Sequence, residues 1–168
     1  MTGRRCIVVT GAGGYIGTSL VPYLLESGYD VRAIDRYFFG DQWLPQNEYL
    51  TLVKEDIRNL NTSHFNDAYG CIDLAAISND PTGEKYAKET FEINHLARFN
   101  NAKMAKANGL KRYIIPSSCS NYGKMDDPES YVDEKSILAP VSLYAELKVK
   151  FENYMLTEIK KYNNFYPT

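Results

Sequence analysis

Apolar and polar positions along this chain follow two alternating rhythms. Residues 4–10, "RRCIVVT", lead from charge into an unbroken apolar run, the pattern of a strand covered on both faces. Residues 15–27, "YIGTSLVPYLLES", then place Ile16, Leu20, Leu24 and Leu25 at helical spacing, and Gly28 stands where a C-terminal cap belongs. Pro22 inside that helix predicts a lost backbone bond or a kink. Further strands are predicted at 29–35, 50–56, 70–76 and 111–118, with a weak helix at 60–70 and an aromatic stretch of no clear period at 36–50. The longest helical pattern, 84–108, puts Tyr86, Ile93, Ala97 and Met104 on one stripe and is closed by Gly109. A second long helix, 141–162, carries Leu147, Phe151, Met155 and Ile159 at i, i+4 spacing, and 164–168 reads as the beginning of a sixth strand.

Strands separated by helices imply right-handed βαβ crossovers and a parallel sheet. The predicted fold class is therefore α/β: a Rossmann-type, doubly wound parallel sheet flanked by helices. The 168 residues suffice for one domain with a substantial core.

Between the first strand and the first helix lies "TGAGGYIG", residues 10–17. Glycines at such a junction suit phosphate binding. Gly11 permits a tight turn, Gly14 lets the backbone approach a pyrophosphate, and Gly17 allows close packing of the helix. Gly13, Tyr15 and Ile16 complete the loop, and the helix N-terminus offers free N–H groups and partial positive charge. Position 16 is Ile16 where the common dinucleotide fingerprint has glycine, so the match is to the TGxxGxxG variant. Asp35 ends the second strand, where a carboxylate can bind ribose hydroxyls and repel a 2′-phosphate. That favours NAD as cofactor; the adjacent Arg36 is the group able to oppose this preference.

A second constellation is Tyr144 and Lys148, one helical turn apart. Tyr131 and Lys135 repeat the spacing, but in an acidic segment that reads as a loop. Upstream, "PSSCSNYG" (residues 116–123) closes the fifth strand with Ser118. In open parallel sheets ligands bind beyond the carboxyl ends of the strands, and Gly11, Asp35, Asp73 and Ser118 all lie at or beside such ends.

Composition removes other functions. A net charge of −2 with mixed signs gives no footprint for nucleic acid, and no apolar run approaches a membrane span. Cys6, Cys71 and Cys119 fit no zinc motif, and His64 and His95 have no clustered ligand partners, so no metal is expected. The cysteines are read as reduced and mostly buried, which suits the cytoplasm.

In order along the chain, TGAGGYIG, Asp35, "EDIR" around Asp56, "DLAA" at 73–76, Asn94, "SSCSNYG" and Tyr144/Lys148 resemble the extended short-chain dehydrogenase/reductases, specifically the NAD-dependent nucleotide-sugar epimerase/dehydratase group. The resemblance implies that Tyr144 is the general base during hydride transfer from a sugar hydroxyl carbon to NAD. It makes Lys148 the residue that binds the nicotinamide ribose and lowers the tyrosine pKa, and Ser118 the partner of the substrate hydroxyl. It sets Asp56 and Ile57 beside the adenine, Leu74, Ala75 and Ala76 along the cofactor path, and Asn94 among the cofactor residues. It also makes a nucleotide sugar the substrate partner and the helices from Glu84 and Ser142 a pairing surface for a homodimer. Moving a phenol from ~10 to ~7 takes ~4 kcal/mol. An ammonium ~4 Å away at an effective dielectric of ~20 supplies about that.

Three positions depart from the group's pattern. Cys119 and Ser120 stand where dehydratases carry an acidic pair, Asn121 where a valine is usual, and Asp73 where a histidine is common. The first argues against dehydration. The group also continues into a substrate domain, so residues 1–168 are expected to be the NAD-binding domain alone, C-terminally truncated and inactive by itself. The alternative is a non-catalytic dinucleotide-binding module or NAD sensor.

Overall fold

A computed structural model describes residues 3–124, 131–159 and 166–167. Among these, six parallel strands form one sheet: β1 (Cys6–Thr10), β2 (Asp30–Asp35), β3 (Leu50–Lys54), β4 (Ala68–Asp73), β5 (Arg112–Ile114) and β6 (Tyr166–Pro167), in the order β3-β2-β1-β4-β5-β6. The order reverses direction between β1 and β4, which opens a crevice beyond their carboxyl ends. The doubly wound architecture expected from the alternating pattern is the observed one.

Alternate residues of β1 serve the two faces. Ile7 and Val9 pack with Val21, Leu24 and Leu25 of helix α1 (Tyr15–Glu26), and with Val31 and Ala33. Val8 points the other way, into a cluster with Phe65, Cys71, Tyr113, Phe151 and Met155. Each face is thus covered by helices, which is why the β1 pattern is a run rather than an alternation. The buried stripe of α1 is Gly17, Val21, Leu24 and Leu25; Ile16 is exposed and Leu20 only half-buried, so the stripe lies one position round from the expected one. The helix runs through Pro22 and ends as expected, with Gly28 N–H on the Leu25 carbonyl at 3.1 Å.

The expected helix over 84–108 is four pieces. Helices α2 (Asp80–Lys85) and α3 (Ala87–Phe91) break at Tyr86, whose ψ is 50°. A π-helical turn, Glu92–Ala97, then leads into α4 (Arg98–Ala107). The weak helix at 60–70 is only a 3-10 turn, Thr62–Phe65; β4 starts at Ala68 and stops at Asp73, so Leu74, Ala75 and Ala76 belong to a loop. Helix α5 (Leu143–Tyr154) buries Leu147 and Phe151 as its spacing predicted, with Met155 just beyond it also buried. The side chain of Ile159 and most of the segment around Pro128 lie outside the described residues.

All three cysteines are free, but only Cys71 is buried; Cys6 is half-exposed and Cys119 exposed on a turn after β5, which corrects the expectation that they are mostly buried.

Glycine is obligatory at the start of α1. A Cβ on Gly17 would lie 2.4 Å from the Ala12 carbonyl oxygen and 2.5 Å from that of Gly11. The close packing is therefore of the helix on its own loop rather than on the strand. Gly17→Ala should lower stability by ~2–3 kcal/mol in urea unfolding, the cost of overpacking against backbone. Ser19→Ala, on the exposed face of the same helix, should change it by less than ~0.5 kcal/mol.

Candidate active site

The glycine loop sits between two neighbours. Gly11 takes φ +71°, and a Cβ there would lie 2.7 Å from the Ala75 nitrogen, so the loop touches the segment after β4. On its other side, Gly13 faces Asp35: its N–H donates to Asp35 Oδ2 at 3.1 Å. Asp35 Oδ1 accepts from the Tyr37 N–H at 2.7 Å. Tyr37 itself holds φ 52°, and its hydroxyl donates to the Ala33 carbonyl at 2.9 Å. The aperiodic aromatic stretch after β2 thus buttresses the glycine loop, which no periodicity could reveal.

Gly11, Gly13, Gly14 and Asp35 line a groove of about 690 Å³ with Tyr15, Ile16, Arg36, Asp56, Ile57, Leu74, Ala75 and Ala76. Its floor fits a dinucleotide. Helix α1 opens at Gly14 with no side-chain cap, leaving its first N–H groups to an anion, and Asp35 retains acceptor capacity for ribose hydroxyls. Arg36 lies 3.4 Å from Asp56 and 4.1 Å over the Phe38 ring. Asp56 is further gripped by Arg58, at 2.7 Å, and those contacts hold its carboxyl below the usual range. A second groove, of about 670 Å³, lies at the opposite ends of the strands around Arg4, Arg5 and Tyr69 and shares no residue with this one.

Asn94 does not face the groove. From the π-helical turn, its side chain donates to the Ile77 carbonyl (2.8 Å) and accepts from the Ile77 N–H (2.9 Å). It is a brace for the loop after β4, holding Ile77, which lines the groove.

Ser118, Tyr144 and Lys148 form a second cluster beyond β5. Ser118 caps the turn Cys119–Tyr122, accepting from the Ser120 N–H at 3.2 Å and donating to Ser120 Oγ at 3.1 Å. Ser142 caps α5 through the Ala145 N–H and donates to Asp80 at 2.8 Å, while the Leu143 N–H donates to Glu84 at 3.0 Å. Two carboxylates of α2 therefore hold the N-terminus of the tyrosine helix, where negative charge is favourable. The decoy Tyr131 is almost fully exposed in a loop.

The electrostatics differ from the expectation. Burial pushes the Tyr144 phenol up; the hydrogen bond with Ser118 and the charge of Arg98 oppose this without reversing it. Lys148 is not the cation that counters burial. Its Nζ donates to the Pro116 carbonyl at 2.5 Å and lies 5.7 Å from the Tyr144 ring centre. Burial, and then Arg98, bring Lys148 down to about 8, with Asp73 and Glu152 pulling the other way. Beneath both lies a buried network missed by sequence reasoning. Asp73 accepts from Thr10 (2.7 Å), Tyr113 (2.9 Å) and Arg98 Nε (3.0 Å), and Arg98 Nη2 donates to the Ala75 carbonyl at 2.7 Å. The available signal was Asp73 itself, an acid closing a buried strand, which demands a partner.

The family model described as "NAD dependent epimerase/dehydratase family" matches residues 7–168. A putative UDP-glucose 4-epimerase of Methanocaldococcus jannaschii is 30% identical over 167 residues, covering 95% of this chain and 52% of that protein. The human decarboxylating sterol-4-alpha-carboxylate 3-dehydrogenase is 27% identical over 177 residues, covering 98% of this chain and 43% of that protein. Among solved structures, a tyrosine-to-phenylalanine variant of UDP-glucuronic acid 4-epimerase from Bacillus cereus, in complex with UDP-4-deoxy-4-fluoro-glucuronic acid and NAD, superposes with a TM-score of 0.83. It is 27% identical, with 95% of this chain and 53% of that chain covered. The chain thus spans about half the length of the relatives it matches.

Lys148 generates a prediction independent of any ligand. Its folded pKa is about 8 against an ordinary 10.5, so its charge is penalised fully below pH 8 and the penalty is relieved as pH rises from 8 to 10.5. The shift corresponds to ~3 kcal/mol, less ~1 kcal/mol for the bond to Pro116. Lys148→Met should therefore stabilise the chain by ~2 kcal/mol at pH 7, and the gain should shrink towards pH 10 in paired thermal melts.

Proposed function

Because the chain belongs to the NAD-dependent epimerase/dehydratase family, we propose that its residues 1–168 are the cofactor-binding portion of a sugar-nucleotide epimerase-like enzyme, with Ser118, Tyr144 and Lys148 carrying the chemistry. The observation that supports this best is the juxtaposition of a buried phenol with the Ser118 hydroxyl beside the groove, at the carboxyl ends of the strands. NAD, when bound, supplies a hydride acceptor and a positively charged ring. The backbone of Gly11, Gly13 and Gly14 and the start of α1 hold the pyrophosphate; Asp35 takes the ribose hydroxyls; Ile57 and the Arg36/Asp56 pair flank the adenine. Ser118 would orient the substrate hydroxyl and Tyr144 would take its proton, and would give it back when the carbonyl is reduced again; the bound cofactor would supply the acceptor and donor of the hydride. Lys148 binds the nicotinamide ribose. The matched relatives include a sterol dehydrogenase as well as sugar-nucleotide epimerases; we assign the nucleotide sugar because the compared structure is complexed with one. At the two positions where dehydratases of this group carry an acidic pair, Cys119 and Ser120 offer no carboxyl to protonate a leaving hydroxyl, so dehydration is not part of the proposed function. The exposed Phe91 and Leu96, with Leu156 beyond α5, form the surface on which a second copy would pair, and the free thiols suit the cytoplasm.

A second reading, a dinucleotide-binding module without catalysis, is favoured by one observation: burial moves the Tyr144 phenol away from the range of a general base.

Calorimetry and turnover assays test both. NAD should bind the chain, NADP at least tenfold more weakly, and Asp35→Asn should narrow the difference; equal or tighter NADP binding would overturn the cofactor assignment. With NAD and a panel of nucleotide sugars, the chain alone should give no epimer by NMR, because substrate positioning supplies ~7–11 kcal/mol of such barriers. Conversion that vanishes in Tyr144→Phe would instead make this half-length chain an enzyme. Any 4-keto-6-deoxy sugar would refute the exclusion of dehydration.

A further inference from the structure

Helix α5 carries Tyr144, Lys148 and Glu152 at successive four-residue steps, so the three lie on one face. The segment that leaves β5 meets that face residue by residue. The Pro116 carbonyl accepts from Lys148 Nζ at 2.5 Å, Ser117 Oγ donates to Glu152 Oε1 at 2.5 Å, and Ser118 hydrogen-bonds the Tyr144 phenol. Asn121, inside the turn that Ser118 caps, adds two bonds: its Nδ2 donates to Glu152 Oε1 at 3.0 Å and to Ser117 Oγ at 3.2 Å. A hydroxyl bound this closely to a carboxylate makes a bond roughly twice as strong as a neutral one. Asn121 is 2% exposed, yet its Oδ1 has no hydrogen-bond partner among the described residues. A buried acceptor left idle costs stability. An apolar side chain would fill this position without that cost, so what the amide contributes is its donor.

We propose that Glu152 is a positioning residue of the candidate site: through Ser117 and Asn121 it pins the turn that bears Ser118 to α5, and so keeps the Ser118 hydroxyl opposite Tyr144. The inference rests on Ser118 and Tyr144 belonging to the site described above. The two donors bracket Ser118 in sequence and meet on one carboxylate oxygen, which leaves the residue between them little freedom to swing. The turn is also closed internally. The Asn121 N–H donates to the Ser118 carbonyl at 3.2 Å, the Gly123 N–H to the Ser120 carbonyl at 3.2 Å, and the Ala139 N–H to the Asn121 carbonyl at 2.9 Å. These backbone bonds hold its shape, but none of them reaches α5. Lys148 grips the chain before the turn, at Pro116, whereas Glu152 grips the residues on either side of Ser118.

The test uses the chain without ligand. In protein labelled at the tyrosine rings, the Tyr144 NMR resonance is assigned by its loss in Tyr144→Phe. Ser118→Ala should move that resonance and so sets the scale. Glu152→Ala should move it in the same direction by at least half as much. It should also speed hydrogen exchange of the Ser120 and Asn121 amides about tenfold, while Val21 and Leu24 in α1 stay within about twofold. Glu152→Gln keeps an oxygen for Ser117 and Asn121 and should bring both readings back to near wild type. If Glu152→Ala fails to fold by circular dichroism, Ser117→Ala/Asn121→Val strips both donors from the carboxylate with α5 untouched, and the same criteria apply. A resonance that moves in Ser118→Ala but keeps its wild-type position in the folded, clamp-free variant would overturn the proposal alone, because Glu152 would then be an ordinary stabilising contact. No movement in Ser118→Ala would overturn the pairing of Ser118 with Tyr144 and this inference with it. Neither reading involves the cofactor, so a chain that binds no NAD yet shows both changes would sink the cofactor reading and leave this inference standing.

Discussion

A carboxylate buried beyond reach of water must be matched by donors, and in this protein the matching of Asp73 organises the centre of the molecule. Thr10 reaches it from β1, Tyr113 from β5 and Arg98 from α4. One side chain at the end of β4 therefore joins its two neighbouring strands to the helix that covers them. Leaving such a charge unpaired costs several kcal/mol, so the four elements meet in one arrangement or the fold is penalised heavily. The same arrangement sets the height of the loop 74–77 against the glycine turn, because Arg98 also holds the Ala75 carbonyl and Ala75 is what Gly11 touches.

The two halves of the site are built by different means. The groove is made of backbone: glycines at a strand–helix junction, with Asp35 and Tyr37 fixing their position. The end that carries Ser118, Tyr144 and Lys148 is made of side chains on α5 and the turn after β5, held from outside by Asp80 and Glu84. The link between them is the chain from Ala75 to Glu84, braced at Ile77 by Asn94. The groove wall and the helix that carries Tyr144 are therefore joined by a few polar bonds over one short segment.

What was legible in the sequence follows from this division. Local signals were sufficient for the apolar run of β1, the glycine junction, Asp35 at its strand end and the Leu147/Phe151/Met155 stripe. They were insufficient where polar groups pair across long separations. Nothing periodic links Asp73 to Arg98 or Asn94 to Ile77. The breaks in the 84–108 helix were hidden for a related reason: its apolar spacing is continuous, while Thr90 binding the Gly83 carbonyl and Asn94 reaching Ile77 are local demands of the site. Lys148 shows the remaining limit. Spacing put it beside Tyr144, but burial and the Pro116 carbonyl decided its charge and direction.

The π-helical turn at Glu92–Ala97 has a consequence for how this sequence can vary. Such a turn holds one residue more than the α-helix it interrupts, and it ends where Arg98 begins. Tightening the same six residues into ordinary helix would over-rotate everything after them by roughly one residue's turn, about 100°. Asn94 and Arg98, on either side of that point, could then no longer both reach their partners. The stretch thus acts as a phase-setting spacer, whose wide turn keeps the braces on either side of it aimed at their partners.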